Sequence, residues 1–183
     1  MMRRLILLGA AALLAACANS GTGEVPPKTV DKVDLKRYQG VWYEQARLPL
    51  FFQRKCAQSE ALYELQSDGS VGVTNTCITY KGEQDQVKGR AVLQTPDDSS
   101  KLWVTFGDSI FSGLSKGHYW VLYLDHDYET VLVGTPDRDH LWLMTRDKNM
   151  TAEQRSKLLD EAKKRDYDTS ELIWRVKDEA LGR

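Results

Sequence analysis

The chain has 183 residues, with 25 Lys and Arg against 26 Asp and Glu, a formal net charge of −1 when the histidines are neutral. That balance offers no basic patch or stripe of the kind a nucleic-acid binder needs, so no nucleic-acid partner is expected. The length suits one domain with a sizeable core.

The chain opens MMRRLILLGAAALLAACANS. Arg3 and Arg4 form a basic start, and Leu5 to Ala16 is an apolar run too short to span a bilayer as a permanent helix. Leu14-Ala15-Ala16-Cys17 resembles the lipobox of bacterial lipoproteins. That resemblance implies cleavage before Cys17, which then carries a diacylglyceryl group and an N-acyl group. More than one acyl chain anchors stably. An ordinary signal peptide with an incidental cysteine is the plainer alternative. Ala18 follows Cys17 where an aspartate would retain the protein at the inner membrane, so the sorting rule of enteric-type bacteria implies the outer membrane, with the domain facing the periplasm. Removing residues 1–16 leaves 167 residues with a net charge of −3, because the piece carries two arginines and no acids. Residues 17–32 then form the lipidated cysteine and a tether. Ala18 to Thr29 is small, polar and proline-containing, and as a random coil it would span about 20 Å.

From Val41 onward, short segments dense in Val, Ile, Thr, Tyr, Phe and Trp alternate with turn residues. Strands are predicted near 41–48, 58–65, 71–80, 86–95, 101–106, 118–124, 130–135 and 140–146. Most connections are short, such as Ser67-Asp68-Gly69-Ser70 and Pro136-Asp137-Arg138-Asp139. Eight strands in meander order predict an all-β, antiparallel up-and-down barrel, which leaves no free edge. Such a barrel can hold one small ligand. Thr151-Ala152-Glu153-Gln154 fits a capping box at the start of a helix. Its stripe of Leu158, Leu159 and Ala162 needs a partner, and the outside of the barrel is the large surface on offer. Glu171 to Val176 reads as a last short strand. The barrel domain is placed at 33–178, with a C-terminal tail at 179–183.

With Cys17 acylated, Cys56 and Cys77 remain as a pair in an oxidising compartment, and a disulfide is predicted against the alternative of two free thiols. Hairpin register tests it. Opposed residues around Asp68-Gly69 should sum to 137, whereas Cys56 and Cys77 sum to 133. The parity puts both on one face, and the offset of four calls for bulges or an irregular entry near Arg54.

Tyr38-Gln39-Gly40-Val41-Trp42 puts a glycine two residues before a tryptophan at the start of the first strand. Gly40 permits close backbone approach where strands crowd, and Trp42 is expected to point inward and plug one end. Gly40-Val41-Trp42 resembles the G-x-W motif of the lipocalins; His126-Asp127-Tyr128 resembles their second motif, with His126 where threonine is usual; and Arg146, closing HLWLMTR, resembles the lone arginine of their third. The resemblance runs from about Val33 to Val176, and with the lipobox it extends to the Blc-type bacterial outer-membrane lipocalin lipoproteins. It implies that Gly40, Trp42, Asp127, Tyr128 and Arg146 are structural. It also implies that Arg146 packs across Trp42, a cation–π contact worth about 0.5–2 kcal/mol.

If Trp42 faces inward, alternation puts Glu44 and Ala46 there too, and Arg146 does the same for Met144 and Trp142. Leu141 and Leu143 would then face out beneath the helix. Glu44 either pairs with a nearby Arg or Lys or meets a polar head group. Which of Tyr119, Val121 and Tyr123 or Trp120 and Leu122 faces inward stays open. The subgroup's ligands imply a fatty acid or lysophospholipid, to be bound, stored or transported in the cell envelope. Two rivals stand beside this, an envelope lipid-modifying enzyme and a structural lipoprotein with a filled barrel. Gly113-Leu114-Ser115-Lys116-Gly117 matches the hydrolase elbow in letters, but a β-run follows where the elbow needs a helix. Asp125, His126 and Asp127, like Asp137, Asp139 and His140, read as turn-capping residues. No catalytic residue, metal ligand or cofactor is assigned. Phe51-Phe52 and Ile110-Phe111 are loop aromatics that pack as a lid, touch the bilayer or contact a second subunit, which leaves a homodimer open.

Overall fold

The computed structural model describes residues 25–107 and 116–182. The leader, Cys17, Ile110-Phe111 and Ser115 lie outside them. In chain order the elements are α1 (Leu35–Tyr38), β1 (Gly40–Arg47), β2 (Cys56–Leu65), β3 (Val71–Thr79), β4 (Gln84–Leu93), β5 (Lys101–Phe106), β6 (Gly117–Leu124), β7 (Thr130–Gly134), β8 (Leu141–Thr145), α2 (Ala152–Lys163) and β9 (Ile173–Trp174). Each strand from β2 to β8 pairs antiparallel with the next, and β1 pairs with both β8 and β2, so the sheet closes into an eight-stranded barrel. Every strand thereby has a neighbour on both sides, although residues 84–87 of β4 pair only with β3 among the described residues. β9 pairs with the end of β1, Ala46 opposite Trp174. Among the described residues no helix is long and apolar enough to cross a membrane.

Alternation along the strands produces two apolar clusters, one on each side of the sheet. Trp42, Tyr63, Val73, Leu102, Val121, Val133 and Met144 share the interior. Leu122, Leu132, Leu141 and Leu143 face outward and are covered by Leu158 and Ala162 of α2. The helix starts with the capping box: the Gln154 N–H donates to Thr151 Oγ1 (3.1 Å) and the Thr151 N–H donates to Gln154 Oε1 (2.9 Å). Its far end is fastened by Glu161. That carboxylate accepts from Arg165 Nη1 (2.6 Å) and Lys164 Nζ (2.9 Å), while Arg165 Nη2 donates to the Leu122 carbonyl (2.6 Å). Burial alone would raise the Glu161 pKa; hydrogen bonds from Arg165, Lys164 and Lys157 outweigh it and hold the group at about 2.

Three bulges interrupt the alternation. They fall between Glu44 and Ala46, between Cys56 and Gln58, and between Val121 and Tyr123. The third decides β6: Tyr119 and Val121 face inward, Trp120 and Leu122 outward, and Tyr123 joins the outer side. The second decides the disulfide, which links Cys56 to Cys77 with Cα atoms 5.4 Å apart. The β2–β3 register sums to 136, Leu65 opposite Val71 and Ser59 opposite Cys77, not to the expected 137. In that register Cys56 would fall on the wrong face. The extra residue Ala57 shifts it to oppose Thr79, diagonal to Cys77.

The expected tether is shorter than its composition implied. Residues 25–32 lie along the outside of the barrel: Arg138 donates to the Val25 carbonyl (2.9 Å), Arg165 to that of Lys28 (2.9 Å), and the Val30 N–H to the Val121 carbonyl (3.0 Å). Pro27 and Val33 are buried. Polar, proline-containing composition suits an added strip of backbone as well as a coil, because its hydrogen bonds go to the wall.

This strip leads into α1, which closes one end of the barrel. Asp34 caps α1, accepting from the Lys36 N–H (2.9 Å), and the Asp34 N–H donates to Tyr128 Oη (2.9 Å). Trp42 is 0 % exposed, and its Nε1 donates to the Tyr38 carbonyl (2.8 Å). The Arg146 guanidinium lies 4.0 Å over the Trp42 ring. Its edges donate to the carbonyls of Val41 (2.8 Å), Gln39 (2.9 Å), Arg37 and Tyr38 (both 3.0 Å), and Tyr128 (3.2 Å). Gly40 has φ +99°, and a Cβ there would sit 3.2 Å from Arg146 Nη1. The glycine is set both by its left-handed backbone and by the cation beside it. Asp127 departs from the expected structural role: it is exposed, and the turn is organised by Asp125, which accepts from the N–H groups of Glu129 (2.7 Å) and Thr130 (3.0 Å).

Trp42→Ala should cost about 3–5 kcal/mol in denaturant unfolding, because a fully buried indole leaves a cavity and an uncovered guanidinium. Glu161 gives a pH test. Its folded pKa lies below the ordinary 4.5, at about 2, so its contribution is complete above pH 4.5 and fades as pH falls toward 2. The loss should be on the order of 1 kcal/mol after solvent screening. Thermal melts of Glu161→Gln should show a lower Tm at neutral pH and a flatter decline between pH 4.5 and 2.

Candidate functional site

Opposite the Trp42 end, the barrel is open among the described residues. A cavity of about 720 Å³ runs inward from the mouth, within the range of about 300–1,000 Å³ usual for ligand pockets. Its wall includes Ala61, Val73, Val87, Val104, Phe106, Trp142 and Met144. Its floor is a tyrosine cluster. Tyr38 and Tyr119 hydrogen-bond through their hydroxyls (2.7 Å), and Tyr63 packs against both, with ring centroids at 5.7 and 5.8 Å. Below them a pocket of only about 20 Å³ remains, so the interior ends there. Burial pushes the Tyr63 pKa up to about 12 and raises those of Tyr38 and Tyr119 well above the ordinary tyrosine value. The floor is therefore neutral at physiological pH.

Beside the mouth the wall carries a buried ion pair. Glu44 (6 % exposed) meets Arg47 (2 % exposed) at 2.7 Å. Arg47 Nη2 also donates to the carbonyls of Gln53 (2.8 Å) and Cys56 (3.0 Å). Gln53 Nε2 donates to Glu44 Oε2 (2.9 Å), and Trp142 Nε1 donates to Gln53 Oε1 (3.1 Å). The 3₁₀ turn Phe51–Gln53 is thus tied to both β1 and β8. Two buried opposite charges with nearly complete hydrogen bonding cancel each other, while Lys55, Glu60, Asp85, Lys116 and Asp137 add further charge to the lining. Further in, Asn75 Oδ1 is buried without a partner among the described residues, an acceptor available to a ligand or water.

Of the residues singled out in the sequence, Glu44, Trp142 and Met144 line this cavity. Ala46 does not. The bulge at Gln45 turns it outward, where it packs with Leu143 and Leu158 and pairs with Trp174. The same bulge brings Arg47 to the inner face opposite Trp142, so strict alternation exchanged these two residues. Sequence reasoning also passed over Phe106. The signal was Gly89: a Cβ there would meet Phe106 and the Thr105 carbonyl, so a glycine inside a strand marked an aromatic lying across it. The turn aspartates are engaged locally. Asp125 caps its own turn, and Asp137 accepts from Thr135 Oγ1 (2.5 Å) and the Asp139 N–H (3.1 Å).

Known proteins share this arrangement. A family model described as a lipocalin-like domain matches residues 33–177. "Outer membrane lipoprotein Blc" of Escherichia coli (strain K12) is 33 % identical over 175 residues, covering 93 % of this chain and 96 % of that protein. "Temperature-induced lipocalin-1" of Arabidopsis thaliana is 36 % identical over 149 residues, covering 79 % and 80 %. Among solved structures, insecticyanin from the tobacco hornworm Manduca sexta superposes with a TM-score of 0.68 at 21 % identity, over 85 % of this chain and 86 % of that one. At that identity the likeness is one of fold.

Glu44→Gln should destabilise the domain by about 3–5 kcal/mol, since it strands a buried guanidinium. Adding Arg47→Met should recover most of that loss in denaturant titration, because removing both charges removes the unpaired one.

Proposed function

The chain belongs to the lipocalin-like family, and from that we propose that it binds an amphiphile with a single acyl chain, a fatty acid or lysophospholipid, in the cell envelope. The observation that carries this reading is the cavity itself: open at one end among the described residues, closed at the other by tyrosines, about 720 Å³ in volume, and with the accessible surface of its wall mostly apolar. An acyl chain would run inward past Trp142 and Met144, with its head group near the mouth.

The anchor and the location belong to the same proposal. The relatives named outer membrane lipoprotein Blc support it, as does the Leu14-Ala15-Ala16-Cys17 sequence. We place acylation at Cys17 and the domain at the outer membrane, facing the periplasm. The proposed role is binding, storage or transport, not catalysis.

A titration of fatty acids and lysophospholipids of increasing length, followed by tryptophan fluorescence, tests the reading, since Trp142 sits in the wall. Saturation at one ligand per chain is expected, with affinity rising by about 0.8 kcal/mol per added methylene until the floor is reached. Ala61→Trp, which fills the cavity, should lower affinity at least tenfold, about 1.4 kcal/mol. An affinity independent of chain length would overturn the lipid reading, and release of a cleaved product would replace it with an enzyme.

A further inference from the structure

We propose that the mouth of the barrel lies against the bilayer that carries the anchor, with Phe51, Phe52 and Tyr80 seated among the lipids, so that ligand passes between membrane and cavity without crossing water. This inference rests on the acylation of Cys17 proposed above.

The first observation is where the N-terminal strip leaves the barrel. From the closed end at Val33 it climbs the outer wall past Ser99, Val121 and Arg165. It ends with the Val25 carbonyl held by Arg138, in the β7–β8 connection. That connection forms part of the mouth, since Thr135, Asp137 and His140 line the cavity rim. The chain is therefore handed to its anchor at the open end. Cys17 precedes Val25 by eight positions, a reach of at most about 29 Å at ~3.6 Å per residue. A closed-end-down orientation would spend most of that reach on the height of the barrel, since a strand of eight residues rises about 26 Å.

The second observation is which apolar side chains are exposed, and where. Phe51 is 80 % exposed, Phe52 68 % and Tyr80 57 %. Phe51 and Phe52 lie between β1 and β2, and Tyr80 between β3 and β4, all at the mouth. β1 lies beside β8 in the sheet, so Phe51 and Phe52 share one side of the rim with the exit of the strip, and Tyr80 stands across the mouth from it. Arg54 stacks on Phe51 with its guanidinium 3.9 Å from the ring centroid. An aromatic ring with a cation beside it suits the boundary between acyl chains and phosphates. A bilayer satisfies both observations; a water-facing mouth leaves adjacent phenylalanines in solvent.

The test is amide hydrogen exchange on the processed full-length protein in phosphatidylethanolamine and phosphatidylglycerol vesicles, compared with the same protein in detergent, both saturated with the same fatty acid. Residues 50–55 and 80–83 should exchange about tenfold slower on vesicles while residues 125–129 at the closed end stay unchanged. F51S/Y80S should abolish the slowing yet keep the fatty-acid titration of the wild type. Unchanged exchange at the mouth, or slowing at the closed end, overturns the proposal. Mass spectrometry of the processed chain separates the two readings. If Cys17 carries no lipid, the anchor reading fails; slowing of the same mouth residues by added vesicles then still supports the docking surface, and its absence overturns it. A failed ligand titration with mouth protection intact rejects the ligand and keeps the orientation.

Discussion

One guanidinium holds the closed end together. Arg146 covers a buried indole with its face and donates from its edges to five backbone carbonyls. Three of those carbonyls, from Arg37, Tyr38 and Gln39, belong to the end of α1, where a helix leaves its acceptors without partners. A fourth belongs to β1 and the fifth to the turn between β6 and β7. Few side chains could replace it. A lysine has neither the plane to lie on the indole nor the fan of donors to reach so many oxygens. The rest of the cup follows from this contact: α1 stays across the end, Tyr38 stays beneath the cavity, and Gly40 is the residue that fits beside the cation.

The second constraint is the bulge. An eight-stranded barrel must bend its strands sharply, and in this chain three extra residues do part of that bending. Each one moves every later side chain of its strand to the other face. At Gln45 the consequence is chemical, because Arg47 enters the wall and forms the pair with Glu44. At Ala57 it is covalent, since the disulfide becomes reachable. At Leu122 it is structural, sending Tyr123 outward to stand beneath Lys157.

What could be read from the sequence was whatever repeats or caps. Alternating apolar residues and turn dipeptides placed the eight strands to within about two residues, Thr151 and Gln154 placed the start of α2, and the pairing of Trp42 with Arg146 beside Gly40 came from the resemblance to lipocalin motifs. What could not be read was the position of the bulges. No residue type at Gln45 or Ala57 announces one, since the extra residue is chosen by pairing across the barrel and not by local preference. Ala46 was therefore assigned to the cavity and Arg47 overlooked, and Asp127 stood in for Asp125. The strip at 25–33 was hidden for another reason. A backbone that uses the wall for its hydrogen bonds needs no apolar pattern of its own.

Trp42 and Arg146 also sit at opposite ends of the barrel's sequence, with 105 positions between the guanidinium and the Val41 carbonyl it binds. A chain emerging N-terminus first exposes the indole while its partner is still to come. Joining such distant segments is slow, because a long loop must be ordered before any contact repays it. The β2–β3 hairpin and its disulfide close over only 21 positions and can be made early. Sequence separation therefore favours closing the covalent link at the mouth before the base. Until β8 arrives the molecule is an open, curved sheet with a bare tryptophan at its rim, and that is the stage at which it is most exposed to aggregation and proteolysis.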